Sequence, residues 1–306
     1  MVLLKQVDLT VFPQIYPLLQ KLDPELSAAE WHSLFTQPWH QPKDYCGHGL
    51  FDGDEMVGFL GLIFSRRNID GQIENFCNIS SWIVKEAYRG HSISLMRPLR
   101  KLENYTFTRL SPSHRVVTIS KKLGFQELDT QIAALPNFLG KIEFNQKLKI
   151  TTDSALILSK LQSQEQSLLQ DHSSCVRCHH LLAEANEEHC YIIFTIVKNA
   201  EFPYGYIQYL GNPELFARYS LVIRKAISKI SETLLVLIDH RLLKGTKPAL
   251  CFNLPVKVHK LYKSSRLKPE QIDNLYSELI TLDFNSIPPF GWRKILTHLK
   301  ERILAN

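Results

Sequence analysis

The residues best suited to chemistry lie between positions 82 and 94. An apolar run, Trp82-Ile83-Val84, reads as the end of a strand. A polar turn, Tyr88-Arg89-Gly90-His91, follows, and helical spacing begins near Ser92. The first turn of a helix leaves backbone N–H groups without intrahelical partners, and with the helix dipole these form a seat for phosphates. Arg89 adds a cation, Ser92 and Ser94 add hydroxyls, and Gly90 lets a ligand approach the backbone closely. Any strand-to-helix turn offers part of this, so the segment by itself indicates a turn able to hold phosphate.

A second cluster is Cys175-x-x-Cys178-His179-His180. The spacing matches a c-type haem attachment, which normally requires export. Zinc is the alternative, with Cys175, Cys178 and His179 or His180 joined by His189 or Cys190. The simpler reading places these residues on a helix over 175–184 that divides them between core and solvent, with Cys190 buried at the head of a strand. No metal is expected. Asp239, at the end of the apolar run 234–238, could reach a cleft or hold a turn. The stretches Tyr262-Lys263-Ser264-Ser265 and Leu275-Tyr276-Ser277-Glu278-Leu279 are polar and aromatic enough to line a pocket, and equally suit a helix packed on a sheet.

A chain of 306 residues with 44% hydrophobic content can bury a sizeable core, and its length favours about two domains. The net charge of +6 suits a phosphorylated ligand or an ordinary basic surface. No basic run with interleaved aromatics points to nucleic acid. Lys5 and Asp8 interrupt the N-terminus before an export signal could develop, and no uncharged apolar window is long enough to span a membrane. Six cysteines in a chain of this length are not a disulfide framework, so the expected compartment is the reducing cytoplasm. The oligomeric state is left open.

The elements that must position the turn follow from periodicity. Strands are expected over 3–8, 56–64, 73–84, 105–110 and 125–128, with helices over 10–21, 28–35, 92–102 and 116–123. Ser27 with Glu30 forms a capping box, Asp52-Gly53 signals a hairpin, and Pro38 and Pro42 close the early helical region. The polar run 159–171 marks a boundary or a surface helix. Beyond it, strands over 190–197, 205–210 and 234–238, a helix over 213–230 and a late helix over 269–279 repeat the outline of the first half.

Arg89, Ser92 and Ser94 occupy the positions of the motif Arg/Gln-x-x-Gly-x-Gly/Ala, with serine at 92 where the pattern has glycine. Lys121-Lys122-Leu123-Gly124-Phe125 follows about thirty residues on, ending a helix. With the order of elements over 1–135, this segment resembles the GNAT superfamily of acyl-CoA-dependent N-acyltransferases. The resemblance implies an α/β fold with a mixed sheet over 1–150; the recurring order of elements makes 151–306 either a second, degenerate GNAT-like copy lacking the cofactor motif or an unrelated half. The resemblance implies that acetyl-CoA or another acyl-CoA lies between two splayed strands, held by Trp82, Ile83, Val84, Arg89, Gly90, His91, Ser92, Ile93 and Ser94. It also implies acyl transfer to a small-molecule or peptide amine, with a carboxylate on a neighbouring strand as base. Glu74 takes that role by position, Asn78 is an alternative polar residue, and Cys77 belongs to the core. The tyrosine that protonates the leaving thiolate in many relatives has no counterpart between Thr106 and Phe125, leaving Ser113 or His114. The alternative is a non-catalytic module that binds acyl-CoA or a partner protein.

Overall fold

The computed structural model describes residues 1–41, 45–128, 131–137, 148–198, 200 and 202–288. Pro42 and most of the stretch 137–147 lie outside them. Strand β1 (Val2–Val7) is followed by a short 3-10 turn and helices α1 (Phe12–Leu19) and α2 (Ala28–Ser33), the latter opened by the Ser27/Glu30 capping box. Strands β2 (Gly47–Asp52), β3 (Glu55–Ile69) and β4 (Gln72–Val84) form an antiparallel meander through the Asp52-Gly53 turn. A 3-10 helix over Glu86–Lys101 leads to β5 (Tyr105–Arg109), α3 (His114–Lys122) and β6 (Gln126–Glu127). Gly124, at φ +87°, turns the chain out of α3, a conformation that side-chain-bearing residues rarely adopt.

The second half begins with β7 (Gln131–Pro136), β8 (Lys149–Thr151), α4 (Ser154–Lys160) and α5 (Ser163–His172). Then come β9 (His179–Ala185), β10 (Glu188–Val197), β11 (Tyr204–Leu210), α6 (Pro213–Ser231) and β12 (Leu235–Asp239). Strands β13 (Phe252–Lys257) and β14 (Leu261–Lys263) and the short helix α7 (Glu278–Thr281) complete the described chain. Two seven-stranded mixed sheets result, in the orders β1-β2-β3-β4-β5-β14-β6 and β13-β7-β12-β11-β10-β9-β8. Each contains one parallel pair joined through a helical crossover, β4 with β5 and β11 with β12.

The sheets exchange strands across the expected division at residue 150. Strand β7 precedes it yet lies in the second sheet, while β14 lies in the first, between β5 and β6. One core packs α1, α2 and the β3 residues Phe59 and Ile63 against Leu168, Tyr191 and Ile193 of the second half. The opposite face of the first sheet packs Leu62, Cys77 and Ile79 under the 3-10 helix and α3. Strand β3 is therefore covered on both faces, which is why its stretch Met56–Phe64 is uniformly apolar. Among the described residues no helix is long and apolar enough to cross a membrane.

Three local expectations are corrected. The helix expected from Ser92 starts instead at Glu86 and has 3-10 geometry, with Pro98 inside it. The helix expected over 175–184 is a turn followed by β9. Leu181, Ala183 and Ala185 face one core and Leu182 the other, so burial on both faces hides the strand's alternation. The helix expected over 269–279 is only a 3-10 turn at Pro269–Gln271 before α7, with the intervening residues held by tertiary contacts.

Those contacts come from buried cations. Lys260 donates to both carboxylate oxygens of Asp239 at 2.9 Å, to Tyr206 at 3.0 Å and to Asn274 at 3.1 Å. Arg241 pairs with the same Asp239 at 3.0 Å and donates to Asn274 at 2.6 Å. Arg67 of β3 holds Asp273, donating at 2.9 Å, and lies between the rings of Phe76 and Tyr276. Burial pushes the Asp239 carboxyl up, but Lys260 and Arg241 outweigh it and hold it down at about 2. Removing one member of such a cluster leaves uncompensated buried charge. Asp239→Ala should lose about 3–5 kcal/mol in urea unfolding, and adding Lys260→Met to that variant should recover much of the loss. No recovery in the double variant would mean that packing at Asp239, not charge, carries the effect.

Candidate active site

The parallel register of β4 with β5 runs from Asn75 opposite Tyr105 to Asn78 opposite Thr108, and stops there. Strand β4 continues to Val84 paired, among the described residues, only with β3. Just past the parting point, Gly61 lies opposite Ser81 and Leu62 opposite Ile79, so Ser80 is an extra residue, a β-bulge that bends β4 away. A Cβ on Gly61 would come within 2.3 Å of Ser81 Oγ, and glycine is what lets the bulge lie against β3. From β5 the chain turns through Ser111-Pro112-Ser113 into α3, and a wedge opens between the strands.

Two cavities meet in this wedge, sharing Trp82, Ser113 and Val116. The outer one, of about 390 Å³, is lined by Trp82, Ile83, Val84, Arg89, Gly90, Ser92 and Ile93. Of the residues singled out for the cofactor, His91 and Ser94 do not line it; Ser94 donates to the His91 carbonyl at 2.6 Å. Because the helix starts at Glu86, residues 89–94 sit within it and their amides belong to its i→i+3 ladder. The exposed Arg89 guanidinium, 3.1 Å from Glu86, and the Ser92 hydroxyl are the polar side chains the segment offers.

The inner cavity, of about 240 Å³, has apolar walls from Leu22, Leu26, Trp31, Leu282 and Phe284. Glu278, at the start of α7, faces it and is 2% exposed. Ser111 and Asn78 donate to its two carboxylate oxygens at 2.5 Å each, and Asn78 in turn accepts from Thr108 at 3.0 Å. Burial pushes the Glu278 carboxyl above the usual carboxylate range, and these hydrogen bonds only partly counter it. Arg109 lines the same cavity. Glu74 does not: it sits four residues before Asn78 on β4, 4% exposed, and pairs with Arg266 at 3.0 Å. Ser113 is the N-cap of α3, yet its side chain accepts no capping bond and borders both cavities. His114 lies against the His259 ring, 6.0 Å between centroids.

Sequence reasoning singled out the stretch 275–279 for an acceptor pocket but missed Glu278 as its chemical group. The available signal was a lone carboxylate in the otherwise uncharged run Leu275–Leu282. Asp239 was placed at a strand end and proves to be an ion-pair centre. Among the described residues the cysteine and histidine side chains around 175–180 bring no three ligands together. His179 stacks on Phe194, the His180 Nδ1 lies 2.8 Å from the Tyr191 hydroxyl, and Cys175 donates to the Ile280 carbonyl. A hydrogen bond from Cys178 draws the Cys175 thiol down to about 7.

No protein-family model matches the chain, and no curated protein is similar to it at a significant level. Solved structures do resemble it. A GCN5-related N-acetyltransferase from Anabaena variabilis aligns over 86% of this chain and 73% of its own, with 12% identity and a TM-score of 0.57. One from Kribbella flavida aligns over 86% of this chain and 71% of its own, with 14% identity and a TM-score of 0.57. At such identities the likeness is one of fold: two similar mixed sheets arranged as in GNAT-type acyltransferases.

Glu278 makes a prediction about stability alone. Its carboxyl holds a proton to higher pH when folded than when unfolded, so folding loses stability as pH rises from the ordinary carboxylate range through the raised value. Glu278→Gln should therefore be more stable than the wild type at neutral pH, with the gain vanishing on acidification. A thermal-unfolding series in pH that shows a constant difference would contradict a raised Glu278.

Proposed function

We propose that the protein transfers an acyl group from acetyl-CoA or another acyl-CoA to an amine. The observation that carries this is the wedge itself. One cavity bordered by Arg89 and one holding a buried carboxylate meet where a parallel strand pair parts. The fold likeness to acyltransferases supports it.

In this reading the phosphates lie near Arg89 and Ser92, and the pantetheine arm follows Trp82-Ile83-Val84. Among the described residues the edge of β4 beyond Asn78 has no strand partner on the β5 side, so its amides and carbonyls are available to an extended ligand. The thioester then reaches the junction at Trp82 and Ser113. The amine sits in the inner cavity, where Glu278 takes its proton. A carboxyl held above its usual range is a stronger base than an ordinary carboxylate. The amine nitrogen bonds to the thioester carbon, the C–S bond breaks, and the thiolate leaves with the Ser113 hydroxyl placed at the junction to hydrogen-bond its sulfur; the proton that Glu278 took from the amine is the one that neutralises the thiolate. Glu278 replaces Glu74 as our choice of base because it faces the cavity. Holding both reactants at one junction supplies proximity without a covalent enzyme intermediate.

Acetyl-CoA or a longer acyl-CoA should raise the melting temperature, and Arg89→Glu should remove the shift. With an accepted amine, thiol release should fall by about 10²–10⁴-fold in Glu278→Gln and stay near wild type in Glu74→Gln. Binding of acyl-CoA with no thiol release for any amine would favour the non-catalytic module, and the reverse ranking of the two glutamines would return the base role to Glu74.

A further inference from the structure

Arg109 stands out among the buried cations because, among the described residues, no carboxylate is in ion-pair contact with it. It is 2% exposed, its guanidinium sandwiched between the rings of Trp82 and Phe125 at 4.8 and 5.5 Å. Among the described residues its one hydrogen bond runs from Nη2 to the sulfur of Met96, and its Nε has no acceptor. Arg67 and Arg241 each pair with a carboxylate; among the described residues Arg109 pairs with none, and only the fields of Cys77 and of Glu278, in the same cavity, support its charge. The neighbouring Trp82 Nε1 is likewise buried without an acceptor. Two orphaned donors thus sit together at the wall of the inner cavity, where leaving them unmet is costly. Burial draws the Arg109 guanidinium down to about 9, which still leaves it charged at neutral pH.

The same cavity presents Glu278 and apolar walls. Its volume, about 240 Å³, falls below the range of roughly 300–1,000 Å³ that holds drug-sized ligands. A space this small, with a carboxyl group, a guanidinium and apolar walls, fits one small amino acid with an apolar body. Resting on the acyl-transfer reading, we propose that the acceptor is a free α-amino acid with an apolar side chain, its amino group at Glu278 and its carboxylate on the donors of Arg109 and Trp82. The side chain lies along Leu26, Trp31 and Phe284. The carboxylate thereby tethers the amine beside the thioester, and the product is an N-acyl amino acid.

The test is calorimetric titration of the full chain, with and without free CoA, using L-phenylalanine, L-phenylalaninamide and phenethylamine. The amino acid should bind at least about tenfold more tightly than the amide or the decarboxylated amine, since both leave a buried guanidinium unmet. Arg109→Gln, checked for folding by thermal melting, should erase that preference while retaining binding of phenethylamine. The ligand series in the wild type needs no variant to decide the matter. Equal binding of all three, or no binding of phenylalanine under either condition, overturns the proposal. So does an Arg109-dependent preference for succinyl-CoA over acetyl-CoA without amino-acid discrimination, which would assign the carboxylate to the donor. Amino-acid binding without any acyl-CoA binding would instead remove acyl transfer and leave the amino-acid site standing.

Discussion

Buried cations hold the late chain against the first sheet, and the site depends on that hold. Arg67 takes Asp273, while Lys260 and Arg241 share Asp239 and Asn274. Residues 272–277 have no regular secondary structure to fix their path. What fixes it is the strong preference of buried charges for paired geometry, because an unpaired charge in a low-dielectric interior is far more costly than an exposed one. Once Asp273 and Asn274 are placed, Ser277 caps α7, and Glu278 arrives beside Asn78 and Ser111 at the parting point of β4 and β5.

The wedge has an equally plain origin. Two parallel strands can stay paired only while both keep regular register, and the extra residue at Ser80 ends that for β4. Strand β5 ends at Arg109, and β14 occupies its other edge. The first sheet is therefore built from early and late segments, with its opening in the middle. A chain whose closing strand comes from residues 261–263 cannot finish this sheet until most of the sequence has been made.

Not every buried charge serves stability. Glu278 sits in a setting that disfavours its ionised form, and Arg109 is buried with only a sulfur acceptor. Both border the same small cavity, whereas the paired clusters around Asp239 and Asp273 do not. Unfavourable burial concentrated at one concave place is the usual signature of groups arranged for a ligand rather than for the fold.

Much of this was legible in the residues. Local rules placed the capping box at Ser27, the hairpin at Asp52-Gly53, the long apolar strand before Phe64 and the helix from Pro213, because each depends on neighbours within a few positions. They also brought out the strand-to-helix segment 82–94, most of which lines the outer cavity. They failed where partners are distant. Strand β9 was read as helix because coverage on both faces removes its alternation, and 272–277 was read as helix because only Arg67, Lys260 and Arg241 dictate its course. Glu278 meets Asn78 across 200 positions, and no periodicity encodes such a pairing. The sequence by itself determined the elements with local signals, such as the capped helix at Ser27 and the helix from Pro213, and the segment that borders the outer cavity, since these rest on short-range backbone geometry. Tertiary structure alone decided which carboxylate faces the wedge, because that follows from long-range ion pairing.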